Sequence, residues 1–218
     1  MVVRMSDTQE RELLYVGDPM CSWCWGISPE LDKLIGQLPD VPFRILAGGL
    51  RPGPSAEAMT DDFAQFLANE WSQIGDRTGQ RFDFKILQRE DWIYDTEPAC
   101  RAITTMGEID ESLAWPLFKR IQQAFYAEGI LVTDPDVYPA LVKEVGGDPD
   151  QFMAMFMSQE ATDLVWEDFA IVRSWGVTSF PTVIYREGDS GSIIAHGYAT
   201  AETMKAIVDE LSGSRDDA

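Results

Sequence analysis

Hydrophobic and polar positions follow two regimes along this chain. Leu13-Leu14-Tyr15-Val16 is an unbroken apolar run, the mark of a strand covered on both faces, and residues 11–17 are expected to form it. Apolar residues then recur at Ile27, Leu31, Leu34, Ile35 and Leu38, the spacing of one helix face, which stops near Pro39. Val41 to Ala47 reads as a second strand, ending at Gly48-Gly49. Strand, helix, strand makes a βαβ unit with a parallel pair, right-handed by default.

Beyond Pro54 the helical period takes over. Met59, Phe63, Phe66, Leu67, Trp71 and Ile74 mark one long amphipathic helix. Thr96 is placed to cap the next, with Pro98 in its first turn, and Ser112 to Ala127 follows with a kink expected at Pro116. Asp136–Val145, Pro149–Met157 and Ala161–Trp175 complete the block, punctuated by Gly146-Gly147 and Asp148-Pro149. The pattern then reverts to short strands, Thr182–Tyr185 and Ser192–Ala195, across the turn Glu187-Gly188-Asp189. A last helix carries Met204, Ile207, Val208 and Leu211. The expected organisation is one α/β core, 11–55 and 176–212, with a helical domain, 56–175, inserted between its βαβ and ββα halves. Residues 1–10 and 213–218 are expected as flexible tails.

Charge narrows the partners. The chain has 218 residues, 17 basic against 37 acidic, for a net charge of −20, and only five lysines. No basic patch is available to neutralise phosphates, so nucleic acid is not an expected partner, and anionic membrane surfaces would repel the chain. The bland account, solubility, suffices for the acidity. Met1 to Glu12 is polar, without an apolar core of signal-peptide length, and no later stretch reaches the roughly 18 apolar residues of a membrane helix. The expectation is a soluble cytoplasmic protein.

Chemistry concentrates in Cys21-Ser22-Trp23-Cys24. The first thiol falls at the start of the first helix, where unpaired amides and the macrodipole favour a thiolate. The second lies one turn on, close enough to close a ring. Structural zinc would need further ligands, and Cys100 and His196 stand in no knuckle-like spacing; c-type haem would want histidine where Trp25 stands. In a reducing compartment a structural disulfide is disfavoured. That leaves thiol–disulfide exchange, with Cys21 attacking and Cys24 resolving. The dipole contributes about 0.3–1 kcal/mol, so it lowers an ordinary thiol by only about one pKa unit at most, and a moderately acidic Cys21 is expected. A second signature, Ser179-Phe180-Pro181-Thr182, puts proline at the opening of a strand. There it is either an ordinary trans residue or a cis bond in a tight turn.

Together these features resemble the thioredoxin superfamily, specifically its DsbA-like branch. Within it, Gly17-Asp18-Pro19-Met20-Cys21-Ser22-Trp23-Cys24-Trp25-Gly26, Glu97-Pro98-Ala99-Cys100-Arg101-Ala102 and Phe125-Tyr126-Ala127-Glu128-Gly129 resemble the cytoplasmic FrnE-like oxidoreductases. The resemblance runs from about residue 11 to 212. It implies a thioredoxin fold with a large helical insertion, a catalytic pair at Cys21 and Cys24, and a cis Pro181 beside them. It also implies a substrate-binding role for the backbone of Phe180, an activity as protein disulfide oxidoreductase or isomerase, and no cofactor beyond the redox-active disulfide, with glutathione as a reductant. Many members carry His or Pro between the cysteines; Ser22-Trp23 brings no cation, which argues against a strongly oxidising potential.

Other residues carry two accounts each. Cys100 is either an accessory thiol in a helix's first turn or a small buried apolar residue. Asp18 is either a proton relay to Cys24 or a turn former before Pro19. His196 is read as packing rather than catalysis. Trp23, Trp25 and Trp71 would give the site an apolar rim for flexible clients, Trp23 as a substrate contact. Met153, Phe156 and Met157 are read as core. Partners are then protein thiols and disulfides or low-molecular-weight thiols, with oligomeric state unread. Two rival functions stand beside this one. One is a glutathione-dependent transferase or isomerase of the kappa and 2-hydroxychromene-2-carboxylate isomerase type, which generally shows serine where Cys21 stands. The other is a non-catalytic, client-binding holdase.

Overall fold

The structure, a computed structural model, describes residues 11–90, 92–188 and 190–213. The tails expected at 1–10 and beyond 213 therefore lie outside the described residues, as does Asp189 of the late turn. In chain order the elements are β1 (Arg11–Gly17), α1 (Ser22–Gln37), β2 (Phe43–Ala47), β3 (Glu57–Ala58), α2 (Asp61–Thr78) and β4 (Ile93–Tyr94). Then come α3 (Glu97–Ile109), α4 (Glu111–Gln122), α5 (Tyr138–Glu144), α6 (Pro149–Phe156) and α7 (Gln159–Ser174). The last described elements are β5 (Thr182–Glu187), β6 (Ser190–His196) and α8 (Ala201–Gly213).

β1 is one of the two inner strands of a four-stranded sheet, order β2-β1-β5-β6. It pairs parallel to β2, with Tyr15 opposite Ile45, and antiparallel to β5, with Tyr15 opposite Val183. Its apolar run is buried on both faces, and the period of two sorts the side chains. Leu13 and Tyr15 enter the large core that continues into the helical block, while Leu14 and Val16 pack with Leu46, Val172, Val177 and Ile184 on the other face. The architecture is a thioredoxin fold with the helical block between its two halves. That block also carries a two-residue ladder between β3 and β4.

Three local details depart from periodicity. Pro29 stands inside α1 and has no amide to offer the carbonyl of Trp25 one turn back. That carbonyl accepts instead from Ser28 Oγ at 2.9 Å and Gln80 Nε2 at 2.8 Å, so the helix continues to Gln37. Thr96 stands at the start of α3, yet its hydroxyl accepts from the Arg51 amide at 3.1 Å; the Glu97 amide is taken by Asp95 at 2.9 Å. Helix α4 passes Pro116 and ends in one π turn, Gln123–Ala127, which carries Phe125 and Tyr126 into the core.

Trp71 is fully buried, edge-on to Phe125 and Tyr126 at 5.9 and 5.1 Å. It belongs to the core of the helical block and not to an exposed rim, because Phe82 and Phe84 from the segment after α2 and Phe125 and Tyr126 from the π turn pack round it. Phe156 is buried as expected, Met153 packs partly buried against the core, and Met157 is 64% exposed just beyond the end of α6.

Candidate active site

The residues singled out in sequence gather at the ends of β1, β2 and β5. Cys21 is the N-cap residue of α1, with extended backbone, and its carbonyl accepts the first helical amide, that of Trp25, at 3.1 Å. The first turn of α1 holds no acidic side chain, so nothing of the helix's own offsets its positive end. Cys24 sits one turn deeper and is inaccessible, whereas Cys21 retains 6% exposure. Both are free thiols.

The Phe180–Pro181 peptide bond is cis. Thr182 Oγ1 donates to the Ser179 carbonyl at 2.9 Å and the Gly197 amide to the Pro181 carbonyl at 2.8 Å, which fixes the turn against β6. The Cys21 thiol donates to the Phe180 carbonyl at 3.5 Å. The aromatic ring of Phe180 lies where a Cβ on Gly48 would stand, 2.4 Å from its Cε1 atom; only glycine admits that approach.

Asp18 is wholly buried between the two loops. Its carboxylate accepts from the Met20 amide at 2.8 Å and the Leu50 amide at 2.7 Å, tying the segment before Cys21 to the one after β2. Burial pushes its pKa up, an effect opposed by the bonds from Leu50, Thr96, Met20 and Cys100. It is the Asp18 backbone amide that addresses the Cys24 sulfur. Cys100 is buried beside Ala47, Val165 and Phe169 and faces Asp18; burial pushes its thiol up, the reverse of activation. Tyr94 donates its hydroxyl to the Met20 carbonyl and so braces the same loop.

Cys24 is pushed well up, first by burial and next by its hydrogen bond and charge interaction with Cys21. Two groups act the other way, the Tyr15 hydroxyl and the Asp18 amide. Tyr15 had no signal in sequence beyond being a strand residue. Its ring is clamped by Phe118 and Trp115 at 5.5 and 5.7 Å, with its tip over Gly17.

At the surface a cleft of about 320 Å³ opens between Trp23, Arg77, Phe180, His196 and Tyr198. The Arg77 guanidinium lies 5.7 Å from the Trp23 ring and 5.2 Å from the Tyr198 ring. His196 Nε2 is 2.7 Å from Ser179 Oγ, so the only histidine steadies the proline turn from an exposed position. Trp25 faces elsewhere: it stacks on Tyr126 at 6.1 Å and donates to the Arg81 carbonyl at 3.1 Å. Arg77 was not legible in sequence, where it reads as one more polar position in the last turn of an amphipathic helix.

Residues 13–209 match the family model of the DSBA-like thioredoxin domain. Among solved structures, a candidate protein disulfide isomerase from Nitrosomonas europaea superposes with a TM-score of 0.87 at 28% identity, covering 95% of this chain and 100% of that one. The cytosolic disulfide reductase DsbM from Pseudomonas aeruginosa, solved also with glutathione, gives 0.76 at 22% identity, covering 92% and 98%. Among curated proteins, the ClpXP adapter protein SpxH of Bacillus subtilis is 22% identical over 210 residues, 93% of this chain and 68% of that protein.

Proposed function

Because the chain belongs to the DSBA-like thioredoxin family, we propose that it is a thiol–disulfide oxidoreductase working through Cys21 and Cys24. The observation that carries the reading is the asymmetry of the pair. Cys21 keeps a route to solvent at a helix N-terminus beside the Phe180–Pro181 turn, and Cys24 is sealed beneath it.

The exchange follows from that asymmetry. The Cys21 thiolate attacks a substrate disulfide, forming a mixed disulfide and expelling one substrate thiolate. Cys24 loses its proton and attacks the Cys21 sulfur, closing the Cys21–Cys24 disulfide and releasing the second substrate sulfur. Two electrons pass from the dithiol to the substrate; the reverse sequence oxidises a substrate dithiol. Phe180 and Pro181 line the approach, with Trp23 as an apolar contact. Asp18 positions the loop ahead of Cys21, and Cys100 packs behind it. The dithiol itself is the redox group, and no organic cofactor is required.

Substrates are protein disulfides and low-molecular-weight thiols, in a cytoplasmic setting. The glutathione complex of DsbM supports a small thiol partner, and its cytosolic description supports the compartment. Isomerisation of wrongly paired proteins is the same chemistry run on a second substrate, and the match to the Nitrosomonas protein supports it. Cys21 stands where the kappa and 2-hydroxychromene-2-carboxylate isomerase type generally shows serine, which favours exchange over that chemistry.

The deciding experiment is insulin reduction with the wild type and Cys21→Ser. Loss of activity in the variant is expected. Equal turnover in both would eliminate redox catalysis, and suppression of aggregation retained without turnover would move the assignment to a client-binding protein.

A further inference from the structure

We propose that Tyr94, in the inserted helical block, is a positioning residue for Cys21: its hydroxyl fixes the Met20–Cys21 peptide and so holds the reactive sulfur over the amides that open α1. The inference rests on the dithiol reading above and gives the inserted block a part in it. Asp18 to Cys21 forms a turn with Pro19 and Met20 at its centre. The Cys21 amide donates back to the Asp18 carbonyl at 3.0 Å, and the Met20 amide to the Asp18 carboxylate at 2.8 Å. The Cys21 carbonyl belongs to α1, where it accepts from Trp25. That leaves the Met20 carbonyl as the one backbone group of the two residues engaged by neither turn nor helix. Met20 is wholly buried, so water offers no partner, and the Tyr94 hydroxyl donates to this carbonyl.

The Met20 carbonyl and the Cys21 amide are the two ends of one rigid plane. With both ends bonded the plane cannot rotate, and Cys21 stays at φ −84°, ψ 118°, the extended geometry of an N-cap. A side chain at that position accepts from the amides of the second and third helical residues, here Trp23 and Cys24. The Cys21 thiol, still protonated, makes no such bond and donates instead to the Phe180 carbonyl. Loss of the proton turns the sulfur into an acceptor, and the α1 amides are then its donors. Tyr94 is itself delivered with care. Strand β4 has two residues and pairs only with the two of β3, too little to stand alone. The Met59 amide bonds the Trp92 carbonyl at 2.9 Å, and the Thr96 amide the Arg51 carbonyl at 3.1 Å, on either side of the ladder. Around the Tyr94 ring, Phe63 of α2 and Phe125 of the π turn stand edge-on at 5.6 and 5.8 Å, with the Arg51 guanidinium 5.8 Å from its centre. Burial keeps the phenol protonated, so it serves only as donor. The other titratable groups round Cys21 are Asp18 in the turn, Cys24 on α1, Tyr15 from β1 and Tyr126 from the π turn.

Tyr94→Phe keeps the ring and removes the hydroxyl. Reduced protein is alkylated with iodoacetamide from about pH 5 to about pH 9, and modification of Cys21 is followed by fragment mass spectrometry. Phe152→Leu is the control: Phe152 is buried in the same block, against Tyr138 and Phe156, and loosens it without touching the turn. In Tyr94→Phe the midpoint of the rate–pH profile is expected to move up by about one unit, the scale of a helix N-terminus acting on a thiolate. Alkylation at pH 7 should slow about threefold, because a more basic thiolate is scarcer but more nucleophilic. Thermal midpoints should fall in both variants, while Phe152→Leu keeps the wild-type pH profile. An unmoved profile in Tyr94→Phe overturns the proposal. So does an equal shift in Phe152→Leu, which would make the effect one of lost stability. Insulin reduction untouched by Cys21→Ser would remove the dithiol reading, and the alkylation profiles would still decide the role of Tyr94.

Discussion

Cys21 and Phe180, 159 positions apart in sequence, meet through a hydrogen bond of 3.5 Å from thiol to carbonyl. The contact depends on a third residue, Gly48, since the Phe180 ring occupies the space a side chain there would fill. Gly48→Ala is expected to push the ring aside and pull the proline turn away from the sulfur. Overpacking of this kind costs about 1–3 kcal/mol, read as a lower denaturant midpoint. KM for a disulfide-bonded peptide should rise several-fold. Unaltered midpoint and KM would mean that the ring swings away freely and does not set the turn.

Arg77 gives a strongly acidic protein a cation in the cleft beside Trp23 and Phe180, held against the Trp23 and Tyr198 rings. Thiols bearing carboxylates should profit from it. Arg77→Gln is expected to slow reduction of the oxidised pair by glutathione about two- to fivefold at low ionic strength, the scale of an exposed charge contact. Added salt should shrink the difference. Reduction by 2-mercaptoethanol, which has no carboxylate, should be unchanged; equal slowing with both thiols would assign Arg77 a purely structural role.

The order of elements was legible because burial imposes periods: Leu13 to Val16 as a doubly covered strand, Ile27 to Leu34 as one helix face. The CxxC pair and the late proline were legible because few backbones tolerate them outside special positions. Cross-chain relationships were not. Nothing in a linear pattern reveals that Phe180 rests on Gly48, that the tip of Tyr15 lies over Gly17, or that Gln80 satisfies the carbonyl Pro29 leaves open. Thr96 and Asp95 show the limit at short range. Either residue type caps a helix, and the choice was made by Arg51, whose amide engages the Thr96 hydroxyl. Trp71 reads in sequence as part of the rim, because nothing in the linear pattern shows the π turn that packs against it.

Asp168 on α7 makes a pH prediction with a definite sign. Burial pushes its carboxyl from 3.8 up to about 6, opposed by bonds from the Thr104 hydroxyl and Ala47 amide and by Arg44, with Glu108 adding to the rise. The Thr104 bond is 2.8 Å and joins α7 to α3, while the Ala47 bond reaches the end of β2. A folded pKa above the unfolded one means that the native state holds the proton more tightly. Stability from this group is therefore fully present below about pH 4 and lost as pH climbs through about 6. Two units would amount to roughly 3 kcal/mol, but a cleft of about 350 Å³ lined by Asp168 admits water and lowers that figure. Asp168→Asn keeps an acceptor for the Ala47 amide and can donate to the Thr104 oxygen without a charge. It is expected to raise stability by about 1–2 kcal/mol at pH 7.5 and to change it by less than about 0.5 kcal/mol near pH 4, measured by urea unfolding of both proteins at each pH. Because the comparison is between variants at one pH, titration of the remaining acidic residues cancels. A destabilised variant at pH 7.5 would show that the ionised carboxylate, not the buried acid, is what holds α7 to α3 and β2.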